Sequence, residues 1–165
     1  QAFENLERRV AIAGMAVPIA LACDLRFASD RAVFTTAFSR RGLIAEWGIS
    51  WLLDRLVGPA HALDLLLSAR KVDATEAERI GLVNRTLAHD ELLPFVMAYA
   101  RDLADNCSPA SMATMKRQVY QHLTERLGPA EKESIRLMFG TFEKPDFREG
   151  VMSFLEKRKP RFQRI

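Results

Sequence analysis

The chain has 165 residues, 48% hydrophobic and 27% charged, which suits a globular domain with a sizeable core and excludes a disordered or fibrous protein. Its net charge of +3 is too small to point at nucleic acid, and no apolar run approaches the ~18 residues a transmembrane helix needs, so neither a nucleic-acid nor a membrane partner is expected. Two cysteines, Cys23 and Cys107, make neither a disulfide framework nor a zinc site, which leaves a reducing cytoplasm as the expected compartment.

The opening Gln1–Glu7 does not read as a signal peptide. Val10-Ala11-Ile12-Ala13 is a short apolar run ending at Gly14 and predicts a buried strand. Pro18 to Cys23 is small and apolar and predicts a buried helix that closes at Asp24. Two strands follow, over 25–28 and 32–35, with Ser29-Asp30-Arg31 as the turn between them. Strand, helix, strand, strand is an α/β pattern. From Gly48 the pattern turns helical, with Leu52, Leu53, Leu56 and Val57 on one face. Gly58-Pro59 ends that helix and starts another, whose apolar face is Ala62, Leu63, Leu66 and Leu67. Asp73-Ala74-Thr75-Glu76 is a capping box: Asp73 caps the amide three residues on while Glu76 reaches back. That short helix ends at Gly81, a left-handed cap, and a strand is predicted over 82–87.

The rest is helix. Asp90 is expected to cap a helix reaching Asn106, with Pro94 tolerated near its start. Ser108-Pro109 opens the next, Gly128-Pro129 punctuates before a helix to Phe142, and Pro145-Asp146 opens the last, with Val151, Phe154 and Leu155 on one face. Two regions are thus expected: a mixed region, 1–87, and a helical region, 88–165. The last nine residues carry five positive charges and no negative one, so this tail either lies solvated or meets a phosphorylated ligand.

Four ordered blocks resemble the crotonase superfamily, the enoyl-CoA hydratases and isomerases. They are Leu21-Ala22-Cys23-Asp24-Leu25-Arg26-Phe27-Ala28-Ser29; Phe34 through Gly42-Leu43-Ile44; Leu56-Val57-Gly58 with Ala62–Leu67 and Ile80-Gly81-Leu82-Val83; and Phe147-Arg148-Glu149-Gly150 with Phe154 through Pro160. The resemblance implies an α/β fold: the C-terminal part of a crotonase (ClpP-like) spiral ββα core over 1–87, then a helical oligomerisation region over 88–165. It implies an acyl-CoA substrate, no cofactor beyond the coenzyme A of that substrate, and a homotrimer or a dimer of trimers. The apolar residues of the later helices, among them Met112, Met115, Leu137, Met138, Phe139 and Phe142, would pack in that assembly.

Two departures shape the expected chemistry. Family members carry a strand-rich N-terminal half before the Val10 strand, which holds the first oxyanion-hole amide. The stretch from Gly14 to Asp24 is also shorter than theirs, and lacks the glycine-rich segment that holds the second. The positions of the two hydratase glutamates fall on Pro18 and Phe38, neither of them acidic. Glu46 instead falls where some family isomerases and a dehalogenase carry an aspartate. Burial against Trp47 is expected to raise its pKa and fit it to move a proton. The alternative is a surface glutamate that favours the dipole of the helix it precedes.

Phe34, Phe38, Trp47 and Trp51 would line an apolar acyl pocket or simply pack in the core. Lys157 and Lys159 would meet the coenzyme A phosphates. Arg40-Arg41 is expected to face solvent, His61, His89 and His122 to be structural or exposed, Asp24 to turn the backbone, and Cys23 to be an inert buried thiol. The leading expectation is double-bond isomerisation or hydration with Glu46 as acid/base. Thioester or C–C bond hydrolysis, and a degenerate homologue that only binds acyl-CoA, stand as alternatives.

Overall fold

The computed structural model describes residues 10–163. Gln1–Glu7, Arg164 and Ile165, on which part of the sequence reading rests, lie outside the described residues. The chain divides into two compact units, one ending at Val96 and one beginning at Met97.

The first unit is built on two small sheets. β1 (Val10–Ala13) and β3 (Ala32–Thr35) pair in parallel, Ala11 opposite Val33 and Ile12 opposite Phe34. β4 (Val72–Asp73) adds to β3 antiparallel, with Val72 opposite Phe34. β2 (Phe27–Ser29) pairs in parallel with β5 (Arg85–Leu87) as a separate ribbon. β3 reads Ala-Val-Phe-Thr because three of its four side chains are buried, the continuous apolar run expected of a parallel strand covered on both faces. Between β1 and β2 lies the short helix α1 (Ala16–Leu21), which buries Val17, Pro18 and Leu21.

α2 (Ile49–Ser68) runs as two segments, because Gly58 leaves the helical region at φ 74°, ψ 163° and Pro59 then opens the second segment. In the first segment Leu53 and Val57 are buried, with Leu52 and Leu56 packed beside them, as the spacing predicts. The second differs from expectation. Ala62 and Leu65 are buried and Leu66 packs beside them, while Leu63 and Leu67 face solvent. Apolar residues stand at 62, 63, 65, 66 and 67, so spacing alone admits two overlapping stripes, and packing chooses the one through Ala62 and Leu65. Ile49, Leu53 and Val72 are the largest fully buried side chains, placing the core between α2, β3 and β4.

α3 (Ala74–Arg79) follows β4 directly. The Glu76 N–H donates to the Asp73 side chain at 2.8 Å, but the reciprocal half of the predicted capping box is replaced: the Glu76 carboxylate takes Arg70 instead, at 2.7 and 2.8 Å. Gly81 has φ 81°, the left-handed cap expected. The predicted strand shortens to β5, since Leu82 and Val83 are buried within the turn that precedes it.

α4 (His89–Asn106) begins one residue before Asp90, and the Ala88 carbonyl accepts from Glu91 and Leu92, so Asp90 sits in the first turn rather than capping it. The boundary between units falls within α4. Its early turns belong to the first unit, where Phe95 packs edge-on to Phe27 at 5.6 Å and lies under the Arg85 guanidinium.

In the second unit, α5 (Pro109–His122) starts at Ser108, which accepts from the Ser111 N–H and donates to the Asp146 carboxylate. α6 (Leu127–Phe142) begins just before Gly128-Pro129, which therefore lie in its first turn. α7 (Pro145–Leu155) begins at the predicted proline. Phe139, Phe142 and Phe147 form a ring cluster that joins α6 to α7.

Candidate active site

Glu46 sits in the connection from β3 to α2, and a dense set of hydrogen bonds fixes that connection. Thr36 donates to the Leu65 carbonyl at 2.8 Å, Thr35 to Ala69 at 3.0 Å, Ser39 to Leu67 at 3.0 Å and the Arg40 Nε to Ser68 at 3.0 Å. These carbonyls lie in and just after the last turn of α2, where helical partners run out; Leu65 also accepts from a later amide, the Ala69 N–H at 3.1 Å, and the side chains after β3 complete the set. Arg40, expected to face solvent, is exposed yet takes part in this stitching. The single 3-10 turn Ser39–Arg41 closes with Gly42 at φ 69°, and the Leu43 N–H returns to the Phe38 carbonyl at 3.0 Å.

The chain then enters α2 through two consecutive left-handed residues, Trp47 (φ 56°) and Gly48 (φ 72°). For tryptophan this conformation is unfavourable by roughly 1–2 kcal/mol. The Glu46 carbonyl accepts from the Ile49 N–H at 3.1 Å, so its residue anchors the first turn of α2.

The Glu46 side chain is half-buried. Leu43, Ile44, Trp47 and Trp51, its neighbours along the chain, all keep large exposed apolar surfaces. The expected enclosure of the carboxyl under Trp47 is not met within this chain, because Trp47 is 68% exposed. Trp51 is 45% exposed and carries the Arg55 guanidinium 3.8 Å above its ring.

Phe38 is buried and belongs to the core. Phe34 is buried too, and it lines a 190 Å³ apolar cavity with Ile12, Val17, Leu21, Phe27 and Leu82. Glu46, Trp47 and Trp51 do not line that cavity. The structure therefore gathers Glu46 and the two tryptophans at the entry to α2, and places the two phenylalanines in the packed interior.

Cys23 corrects an expectation. It is exposed, beyond the end of α1, with its thiol directed to the Ile19 carbonyl at 3.7 Å, because α1 buries only one face. His89 is exposed, with Nδ1 3.1 Å from the Ser29 hydroxyl, and His122 lies 3.2 Å from Glu133. Among the described residues no His, Cys, Asp and Glu cluster could hold a metal ion. No described helix is long and apolar enough to cross a membrane.

In the second unit Lys157 and Lys159 are exposed just beyond α7. A groove of 560 Å³ runs beside α7, lined by Met112, Met115, Phe147, Val151, Phe154 and Leu155 among others. Two interactions escaped the sequence reading. Arg70 bridges Asp64 and Glu76, and Glu149 grips Arg158 at 2.5 and 3.0 Å. Opposite charges at nearby positions were the available signal, but most such pairs on a surface are incidental.

Comparison with known proteins fits this geometry. The sequence profile of the enoyl-CoA hydratase/isomerase family matches residues 10–164. A probable enoyl-CoA hydratase of Mycobacterium leprae is 36% identical over 156 residues, covering 92% of this chain and 60% of that protein. A probable enoyl-CoA hydratase of Rhodobacter capsulatus is 38% identical over 152 residues, covering 92% and 59%. Among solved structures, a probable enoyl-CoA hydratase/isomerase from Mycobacterium abscessus superposes with a TM-score of 0.89 at 28% identity, covering 92% of this chain and 62% of that one. An enoyl-CoA hydratase from Bacillus anthracis gives 0.88 at 26%, covering 92% and 58%. The chain thus spans about 60% of the length of the curated relatives it matches. The four ordered sequence blocks, the ββα core and the run of helices after it agree with a match over nearly every described residue: this chain belongs to the enoyl-CoA hydratase/isomerase family of the crotonase superfamily and carries part of that fold.

Proposed function

We propose that the protein carrying this chain processes an acyl-CoA thioester, with Glu46 as the group that removes and returns a proton. The carrying observation is the entry to α2. It holds one half-buried carboxylate next to Trp47, whose left-handed backbone is retained at a cost, amid exposed apolar side chains suited to an acyl group. Strain at a non-glycine residue beside a candidate carboxylate is the kind of outlier that functional sites keep.

Proton removal next to a thioester carbonyl leaves an enolate whose charge gathers on the carbonyl oxygen. Backbone N–H donors aimed at that oxygen lower the barrier, because they act on charge that develops only in the transition state. A single carboxylate can take the proton from one carbon and return it to another, which is double-bond isomerisation. Hydration by two carboxylates that hold water between them is the weaker form of this reading, because the positions that would supply them are Pro18 and Phe38.

On this reading Lys157 and Lys159 meet the coenzyme phosphates, and the exposed apolar helices of the second unit pack in a homotrimer or dimer of trimers. No cofactor beyond the substrate's coenzyme A is required.

The test is Glu46→Gln in the full-length protein, assayed on a panel of enoyl-CoA esters with product identification. Turnover should fall by roughly 10²–10⁴-fold, the usual worth of a positioned acid/base, while KM changes little. Product of unchanged mass identifies isomerisation, and addition of water identifies hydration. Unchanged turnover in the variant overturns the role of Glu46. Tight binding without turnover in the native protein would favour a binding homologue.

A further inference from the structure

The basic segment after α7 folds back along its own helix. Lys157 sits at φ 53°, where glycine or asparagine ordinarily stands, and reverses the chain. Its N–H donates to the Phe154 carbonyl at 3.2 Å, and the Arg158 N–H donates to Ser153 at 3.0 Å, which together make a complete Schellman cap.

Beyond the reversal, one face of α7 holds the returning strand. Glu149 accepts both Nη atoms of Arg158, at 2.5 and 3.0 Å, and the Arg161 N–H at 2.7 Å. One turn earlier Asp146 accepts the Gln163 N–H at 3.3 Å. The Phe162 ring lies over Gly150, where a Cβ would stand 3.8 Å from the ring. Arg158 also donates to Glu156 at 2.5 Å, so its charge is spent on two carboxylates of its own unit. Lys157 and Lys159 flank this clamped arginine and remain exposed. These two positive side chains therefore come from a segment whose backbone is tied down at residues 157, 158, 161 and 163.

We propose that Glu149 is a positioning residue for phosphate recognition: by gripping Arg158 and the Arg161 amide it presents Lys157 and Lys159 as a preset pair to the phosphates of the coenzyme. This rests on the reading that the ligand is a coenzyme A ester. A preset pair binds more tightly than two lysines on a loose tail, because less chain freedom is lost when the phosphate arrives. The Arg158 and Arg161 contacts also hold the Glu149 carboxyl down at about 2, so it stays charged through the whole working range of pH.

The experiment titrates the full-length protein with coenzyme A and, separately, with pantetheine, which lacks the adenosine phosphates. The variants are Glu149→Gln, the exchange Glu149→Arg with Arg158→Glu, and Lys157→Ala with Lys159→Ala. Glu149→Gln should weaken coenzyme A binding by ~5-fold and leave pantetheine binding unchanged, with helix content retained by circular dichroism. The exchange should recover part of that loss, and Glu149→Gln should add little in the background without the two lysines.

Two results overturn the proposal in distinguishable ways. If removing the lysines weakens coenzyme A selectively but Glu149→Gln does not, phosphate contact by the tail stands and the positioning role falls. If removing the lysines leaves the ratio of coenzyme A to pantetheine affinity unchanged, the phosphate reading falls, and the positioning role with it.

Discussion

Gly81 shows how one residue can hold two elements in register. Its φ of 81° ends α3 in the left-handed region, and a Cβ built there would stand 3.2 Å from the Leu56 carbonyl oxygen. The backbone angle strains any side chain placed there, and the Leu56 carbonyl would have to give way by a few tenths of an ångström to admit a Cβ. Gly81→Ala should therefore destabilise the fold by more than the ~1 kcal/mol that a compatible glycine replacement would gain, read as a lower urea midpoint at unchanged slope. A midpoint equal to that of the native protein would show that α2 yields to the added methyl. The sequence disclosed this residue because a left-handed glycine after a capped helix is a local signal. It disclosed Glu46 only through position relative to the family, since a lone carboxylate before a helix has an equally good explanation in the helix dipole. The environment of Glu46 is not legible in the sequence for a related reason. Trp47 adjoins it in sequence, but a left-handed backbone at Trp47 leaves the ring 68% exposed, and neighbouring residue letters do not encode that angle.

At the scale of elements, the junction of α2, β4 and α3 is held by charge as well as by packing. Arg70 donates to Asp64 on α2 at 2.7 and 2.9 Å and to Glu76 on α3 at 2.7 and 2.8 Å. These hydrogen bonds lower both carboxyl pKa values below their ordinary 3.8 and 4.5. A carboxyl lowered in the folded state stabilises the fold above its unfolded pKa and loses that contribution as pH falls through the folded one. The stability gap between the native protein and Arg70→Gln should thus be full near neutrality and shrink as pH drops below 4.5 and then below 3.8. Urea melts across that range measure it, and a gap independent of pH would assign the role of Arg70 to packing of its stem. The same junction shows why caps were legible and their partners were not. Asp73 and Ser108 cap as their local sequence dictates, because a cap needs only residues three apart. Glu76 left its box for an arginine six residues earlier, a competition that only the folded path of the chain decides. β4, at two residues, is too short to carry any periodicity and went unforeseen.

At the scale of the whole molecule, apolar surface is the dominant unresolved demand of the second unit. α4, α5 and α6 bury no side chain completely, and α7 buries only Ser153. Met115, Val119, Phe139, Phe142, Phe154 and Leu155 are all exposed. The helical spacing of these residues was legible in the sequence; what covers them was not, because amphipathic spacing marks an apolar face without naming the surface opposite. Exposed apolar side chains on successive helices make the kind of surface that association would cover. Assembly of the full-length protein into a homotrimer would cover it, and the point of greatest leverage is the end of α7, where Phe154 is 82% and Leu155 67% exposed. Replacing both by serine removes no buried contact of the first-unit core around Leu53 and Val72, so far-ultraviolet circular dichroism should keep its helical signal. Sedimentation should shift from the mass of the assembly to that of one subunit. Retention of the assembled mass by the double variant would assign the interface to other faces of the helices. A monomeric native protein would refute assembly altogether, and would leave the longer chain of the family fold as the cover for these side chains.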